Sequence, residues 1–224
     1  MRQAHGLACR LFEGEAADHK AQVKHFTLWP PAADPEDPAG MLFRFAWLGD
    51  ASPPLNLAEL DKVRLGNVTC IVQKADLHTR SYPELAAPSS ATAATLTFHS
   101  PTYFSRDGRA EILPDPRLML AGCHRRWNAS ISGTSPVRIA DELARETIRS
   151  VCLRDYDLRT MHMDSGYQKD RPGFIGTVEL SLPRDAPVVI RTTFATLIRY
   201  VAYCGTGAQT THGYGATSTV LEQE

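Results

Sequence analysis

Near its end, from Ala202 to Val220, the chain reads AYCGTGAQTTHGYGATSTV. Gly205, Gly207, Gly213 and Gly215 stand in the pattern G-x-G-x(5)-G-x-G, with Gln209, Thr210 and His212 between them. Glycine at this density has two readings. It punctuates a turn, or the backbone must come very close to something, such as a phosphate held by backbone N–H groups. A dinucleotide-binding loop would follow a strand and open a helix, so that the helix N-terminus meets the pyrophosphate. Here the order is reversed: TTFATLIRYVAYCG before the glycines has helical spacing, and ATSTVLE after them reads as a strand. No Gly-Lys-Ser/Thr occurs, which excludes a P-loop. The context favours a loop over a sheet that offers backbone donors to an anion, with a glycine-rich connection as the plain alternative.

The elements that must hold such a loop follow from periodicity and turn chemistry. Residues 4–19 read as a helix with Leu7, Leu11 and Phe12 on one face, and the proline-rich 29–40, with four prolines, as a loop. A strand at 41–49, a short helix at 55–66 and a strand at 68–78 follow, then a small, polar, proline-bearing linker at 81–93. Beyond it come a strand at 95–104, a turn at Asp107-Gly108, and a helix capped by Asp115 with Pro116 in its first position. A helix at 137–149, strands at 151–164 and 173–183, the helix at 192–205 and the last strand complete the chain. The second half thus reads β-α-α-β-β-α-β, and the first a shorter version. Split β-α-β units of this kind build ferredoxin-like sandwiches, the plan also used by RNA-recognition modules. The reading is α+β, with two tandem ferredoxin-like (RRM-like) domains over 1–88 and 89–224.

Bulk properties narrow the function classes. The chain has 224 residues, 43% hydrophobic and 22% charged, with a formal net charge of -1. A polyanion partner therefore needs a local basic patch. No apolar run of about 18 residues predicts a membrane span, and the N-terminus lacks the pattern of a signal peptide, so a cytoplasmic protein is expected. The five cysteines, Cys9, Cys70, Cys123, Cys152 and Cys204, are scattered without a C-x-x-C pair, which argues for reduced thiols. No H-E-x-x-H occurs and the carboxylates show no paired pattern of a two-metal nuclease, so neither a metal nor another cofactor is expected.

Taken in order, LTFHSPTYF…ILPDPRLMLAGCHRRWN, RPGFIGTVELSLP and YCGTGAQTTHGYG resemble the CRISPR-associated endoribonucleases that process precursor crRNA. This is the Cas six family of the RAMP superfamily, whose hallmark is a C-terminal glycine-rich loop. AHGLACRLFEG…ADHKAQVKHFT is similar to the family's first helix and the histidine segment after it. RLGNVTCIVQKADLHTRSYPEL looks like the strand closing its first domain. Family members usually begin with a β-strand before that helix, whereas here Met1 falls at the helix itself. Three alternatives follow: an incomplete first sandwich, a strand from another chain, or a start further upstream.

The resemblance implies a metal-independent ribonuclease in which the RNA's own 2′-hydroxyl attacks the neighbouring phosphate. The protein then takes a proton from O2′, supplies one to O5′ and neutralises the phosphorane, tasks suited to histidine and lysine. The family's catalytic histidine maps onto His19, with Lys24 for the phosphate and His25 as a further partner. RNA contacts are expected from Arg125 and Arg126 on the helix after Pro116, and from Arg159, Lys169 and Arg171 on a hairpin. In the loop they are expected from Gly205, Gly207, Gln209, Thr210, His212, Gly213 and Gly215. The implied partner is CRISPR repeat RNA or crRNA, joined by other effector subunits or by a second copy as a homodimer. The rival reading is a non-catalytic RAMP subunit that only holds crRNA.

Overall fold

The computed structural model describes residues 1–13, 24–56, 59–164 and 171–223. In chain order the elements are α1 (Arg2–Phe12), β1 (Phe26–Leu28), β2 (Ala32–Ala33), β3 (Met41–Leu42), β4 (Phe45–Trp47), β5 (Lys62–Leu65) and β6 (Val68–Ile71). Then come α2 (Tyr82–Leu85), β7 (Ala91–Thr102), β8 (Phe104–Arg106), β9 (Arg109–Glu111), α3 (Pro116–Ser130), α4 (Asp141–Ser150), β10 (Cys152–Met163), β11 (Arg171–Ser181), α5 (Val188–Cys204) and β12 (Thr217–Gln223).

The second half is built around one antiparallel sheet in the order β10-β11-β7-β12. With α3 and α4 between its first two strands and α5 before its last, this is the β-α-β-β-α-β ferredoxin-like order. Along β7 alternate residues divide between two faces. Ala94, Leu96 and Phe98 are buried among Leu120, Cys123 and Trp127 of α3 and Phe194, Leu197, Ile198 and Val201 of α5. Thr95, Thr97 and His99 point to the opposite, open face. Asp115 caps α3 by accepting from the Arg117 N–H at 2.8 Å, as its sequence position predicts.

The first half is smaller. Ala4, Ala8 and Phe12 of α1 are buried against Phe26 and Leu28 of β1, and among the described residues β1 pairs with β4 alone. It is nonetheless fastened to the larger half. Leu48 and Leu85 belong to the main core, and Thr27 Oγ1 donates to the Tyr203 carbonyl at 2.6 Å. Asp50 and Ser132 are tied through Asp50 Oδ2 and the Ser132 N–H at 2.9 Å.

Four local expectations change. The helix expected over 4–19 ends at Phe12 with Glu13 as its C-cap, and 14–19 lie outside the described residues. The strand expected at 41–49 splits into β3 and β4. Instead of a helix at 55–66, Lys62–Leu65 pairs with Val68–Ile71 across Gly66-Asn67, with Gly66 at φ 63°. That two-residue turn needs a left-handed residue, and β-branched Val63, Val68, Thr69 and Ile71 suit strands. The expected linker at 81–93 holds α2, closed by a reciprocal capping box between Ser81 and Glu84, and the start of β7.

Trp127 is fully buried and its indole N–H donates to the Val137 carbonyl at 3.0 Å. Trp127→Ala is expected to cost about 3–5 kcal/mol. The midpoint of urea unfolding should fall accordingly, and an unchanged midpoint would contradict this core assignment.

Candidate functional site

The glycine stretch begins where α5 ends. Across this junction lies Arg126, whose guanidinium donates to the carbonyls of Cys204 at 2.6 Å and Gly207 at 2.7 Å. Such charge-assisted bonds answer the carbonyls that every helix C-terminus leaves unsatisfied. The loop then folds against the sheet. Ala208 N–H donates to the Tyr103 carbonyl and Gly215 N–H to that of Pro101, while Thr206 N–H donates to Gly215. All four glycines have positive φ, and at Gly205, Gly207 and Gly215 the need for glycine is steric as well. A Cβ on Gly207 would stand 2.4 Å from the Tyr103 carbonyl oxygen, and one on Gly215 1.8 Å from that of Thr206. The close approach that the sequence demanded is therefore met first by the protein's own backbone. Gln209 is left-handed at φ 56°, and Thr210–His212 form a 3-10 turn with Thr210 buried.

On that turn sits α1. His5, Cys9 and Glu13 recur every four residues, so they share one side of the helix. His5 Nδ1 donates to the Thr211 carbonyl at 2.6 Å, which fixes its tautomer, and Nε2 lies 3.5 Å from Cys9 Sγ. The His5 ring stacks on His212 with centroids 3.9 Å apart and planes at 15°. Burial, then the neighbouring His5, push His212 down to about 4. Further along, Lys24 Nζ is ion-paired with Glu13. Burial pushes the Cys9 thiol up to about 11, with Glu13 adding to the rise and Lys24 opposing it. His25 Nδ1 is buried without a hydrogen-bond partner among the described residues, its ring 6.1 Å from that of Trp47. His19 lies outside the described residues, between the ion-paired Glu13 and Lys24.

The expected basic contacts occupy different settings. Arg125 is exposed on α3, while its neighbour Arg126 has turned inward to the loop carbonyls. Arg159 is exposed on β10. Arg171, at the start of β11, stacks its guanidinium 4.9 Å over the Tyr103 ring, and Tyr103 meets Tyr214 edge-on at 5.4 Å. Tyr214 in turn donates to the Met163 carbonyl at 2.6 Å, joining the hairpin arm to the loop. Lys169 lies outside the described residues. His124 belongs to structure: it contacts the Ile139 carbonyl at 3.0 Å and Asn128. Among the described residues no His, Cys, Asp or Glu cluster has metal-binding geometry, and no helix is long and apolar enough to cross a membrane.

One residue of this site escaped the sequence reading. His5 was invisible as a lone histidine, although the His5-x3-Cys9-x3-Glu13 spacing was present. Arg126 was named as a basic RNA contact, but nothing local indicated that its guanidinium points at the backbone of the loop.

Residues 96–217 match the CRISPR-associated endoribonuclease Cas6 family. Among solved structures, a Thermus thermophilus Cas6 (TTHB231) in a product complex is similar at 26% identity and TM-score 0.78, covering 98% of this chain and 93% of that one. A product complex of Cas6 (TTHA0078) is similar at 26% identity and TM-score 0.77, covering 97% and 92%. A substrate-mimic complex of that protein gives 26% and 0.69, covering 88% and 85%. The likeness runs through both halves and fits the double ferredoxin-like fold. No curated protein matches the chain.

Two outcomes follow from this geometry. Gly215→Ala combines strained φ with a backbone clash and is expected to cost about 1–3 kcal/mol, read as a lower urea midpoint. For His212, the folded state favours the neutral ring, so its contribution is complete above the ordinary value of roughly 6.5 and is lost as pH falls toward about 4. The urea midpoint of wild type should fall more steeply from pH 6.5 to 4 than that of His212→Gln. Parallel profiles would show that His212 is not held neutral.

Proposed function

The chain belongs to the CRISPR-associated endoribonuclease Cas6 family, and from that premise we propose that it cuts CRISPR repeat RNA within precursor crRNA by a metal-independent route. The 2′-hydroxyl before the scissile bond loses its proton to His19 and attacks the adjacent phosphorus. The P–O5′ bond breaks, the leaving O5′ takes a proton, and the products are a 2′,3′-cyclic phosphate and a 5′-hydroxyl. His19 is suited to this step because imidazole ionises near neutral pH.

The observation that carries the reading is the meeting of α1 with the glycine loop. His5 holds Thr211 and stacks on His212, while Glu13 and Lys24, ion-paired, flank the stretch of chain that contains His19. Lys24 supplies charge to the phosphorane oxygens, exchanging Glu13 for phosphate as RNA enters. His25, with its buried Nδ1 beside Trp47, helps to fix the backbone on which Lys24 stands. The loop residues from Gly205 to Gly215 and the exposed Arg125 and Arg159 line the path of the RNA backbone. Arg171 on the hairpin arm, together with Lys169, extends that path toward a stem. Comparable product and substrate-mimic complexes of the similar Cas6 proteins support an RNA ligand for this chain.

The test is single-turnover cleavage of the repeat RNA encoded nearest this gene, in EDTA. Wild type should cut. His19→Ala should lose at least about a hundredfold in rate, within the range general acid–base catalysis supplies, while keeping its affinity. Tight binding without cutting by either protein would instead assign the chain to the crRNA-holding class.

A further inference from the structure

The open face of the sheet carries a feature that the cleavage site does not use. Trp29, just after β1, receives the Arg44 guanidinium at 3.9 Å from its ring centroid. Its ring also stacks with His99 of β7, centroids 4.9 Å apart and planes at 29°. His99 Nε2 lies 2.7 Å from Ser218 Oγ on β12, which holds the imidazole in place. Burial, then Arg44, push the His99 value down, so the ring is neutral at physiological pH. The column bridges the two halves of the protein, since Trp29 and Arg44 come from the first and His99 and Ser218 from the second. Both ends are exposed: Arg44 and His99 face solvent, and Trp29 is half-buried.

We propose that Arg44, Trp29 and His99 form a docking column for an unpaired nucleotide of RNA, a site separate from the cleavage centre. The chemistry is that of single-strand binding, in which aromatic faces accept bases of any identity and cations follow the backbone. Arg44 is exposed and long. Its guanidinium holds the place of a base on the indole, and on binding it moves to the neighbouring phosphate while the base takes that ring face. The indole also stacks on His99, and a backbone bond from Trp29 N–H to the Arg44 carbonyl at 2.9 Å keeps the two segments in register. A surface cation–π pair needs no third ring; the imidazole braced by Ser218 is what makes this a built platform. The inference rests on the reading of the chain as an RNA-binding protein, and it adds the class of RNA bound: an unpaired segment flanking whatever is cut.

The probe is an unstructured RNA hexamer with 2-aminopurine at its centre, whose fluorescence is quenched on stacking. Wild type should bind and quench it. Trp29→Ala should bind about tenfold more weakly, the scale of one lost base stack, with the quench abolished. Trp29→Phe, which keeps a ring, should recover both. Unchanged binding or quench in Trp29→Ala overturns the proposal, as does failure of wild type to bind the hexamer. Repeat-RNA cleavage at saturating RNA is followed in parallel. Hexamer binding that depends on Trp29 without cleavage by wild type leaves the column standing and removes the nuclease reading. Cleavage without Trp29-dependent hexamer binding does the reverse.

Discussion

Arg126 reaches from the interior of α3 to carbonyls at the end of α5 and in the loop beyond it. Without that guanidinium, several oxygens would be left crowded at the C-terminus of a buried helix, where unpaired carbonyls are costly. Its presence lets the chain leave α5 sharply through Gly205 and lie against Tyr103 and Pro101. The rest of the site builds on this placement. The loop presents Thr211 and His212, α1 docks on them through His5, and the hairpin arm is moored to the same loop through Tyr214. The arrangement is a chain of dependencies running from one charged side chain outward to the surface proposed to bind RNA.

This changes what the glycines mean. Their density signalled close approach, and close approach is what the backbone shows, but its partners are the carbonyls of Tyr103 and Thr206. On the proposed reading, RNA meets a loop that is already folded. Preorganisation of this kind reduces the ordering cost of binding, since the loop does not have to be immobilised by its ligand. The same logic applies to His212, whose ring is stacked and kept neutral before any RNA arrives.

Much of the second half was legible because its signals are local and redundant. Asp115-Pro116 marks the start of a helix, the apolar spacing of Phe194, Leu197, Ile198 and Val201 marks another, and the alternation of β7 marks a central strand. The first half was harder to read. Its strands are two to four residues long, too short for periodicity to register, and they are held by packing against α1 and the larger domain. The β5–β6 hairpin could have been found from Gly66-Asn67, a turn signal outweighed by the helix-like spacing of the preceding leucines. Pairings such as His5 with Thr211, Arg126 with Gly207, or Trp29 with His99 are tertiary. No rule of spacing predicts them, and each becomes visible only once α1, α3 or β1 has been placed beside the loop or sheet.

The most direct measurement of the central claim, that this surface makes the RNA its own nucleophile, is cleavage of a repeat RNA carrying a single 2′-deoxynucleotide before the scissile phosphate. The account predicts that wild-type protein binds this RNA as tightly as the natural one and leaves it uncut. Cleavage at an undiminished rate would show that another nucleophile attacks the phosphate, and would contradict the proposed chemistry.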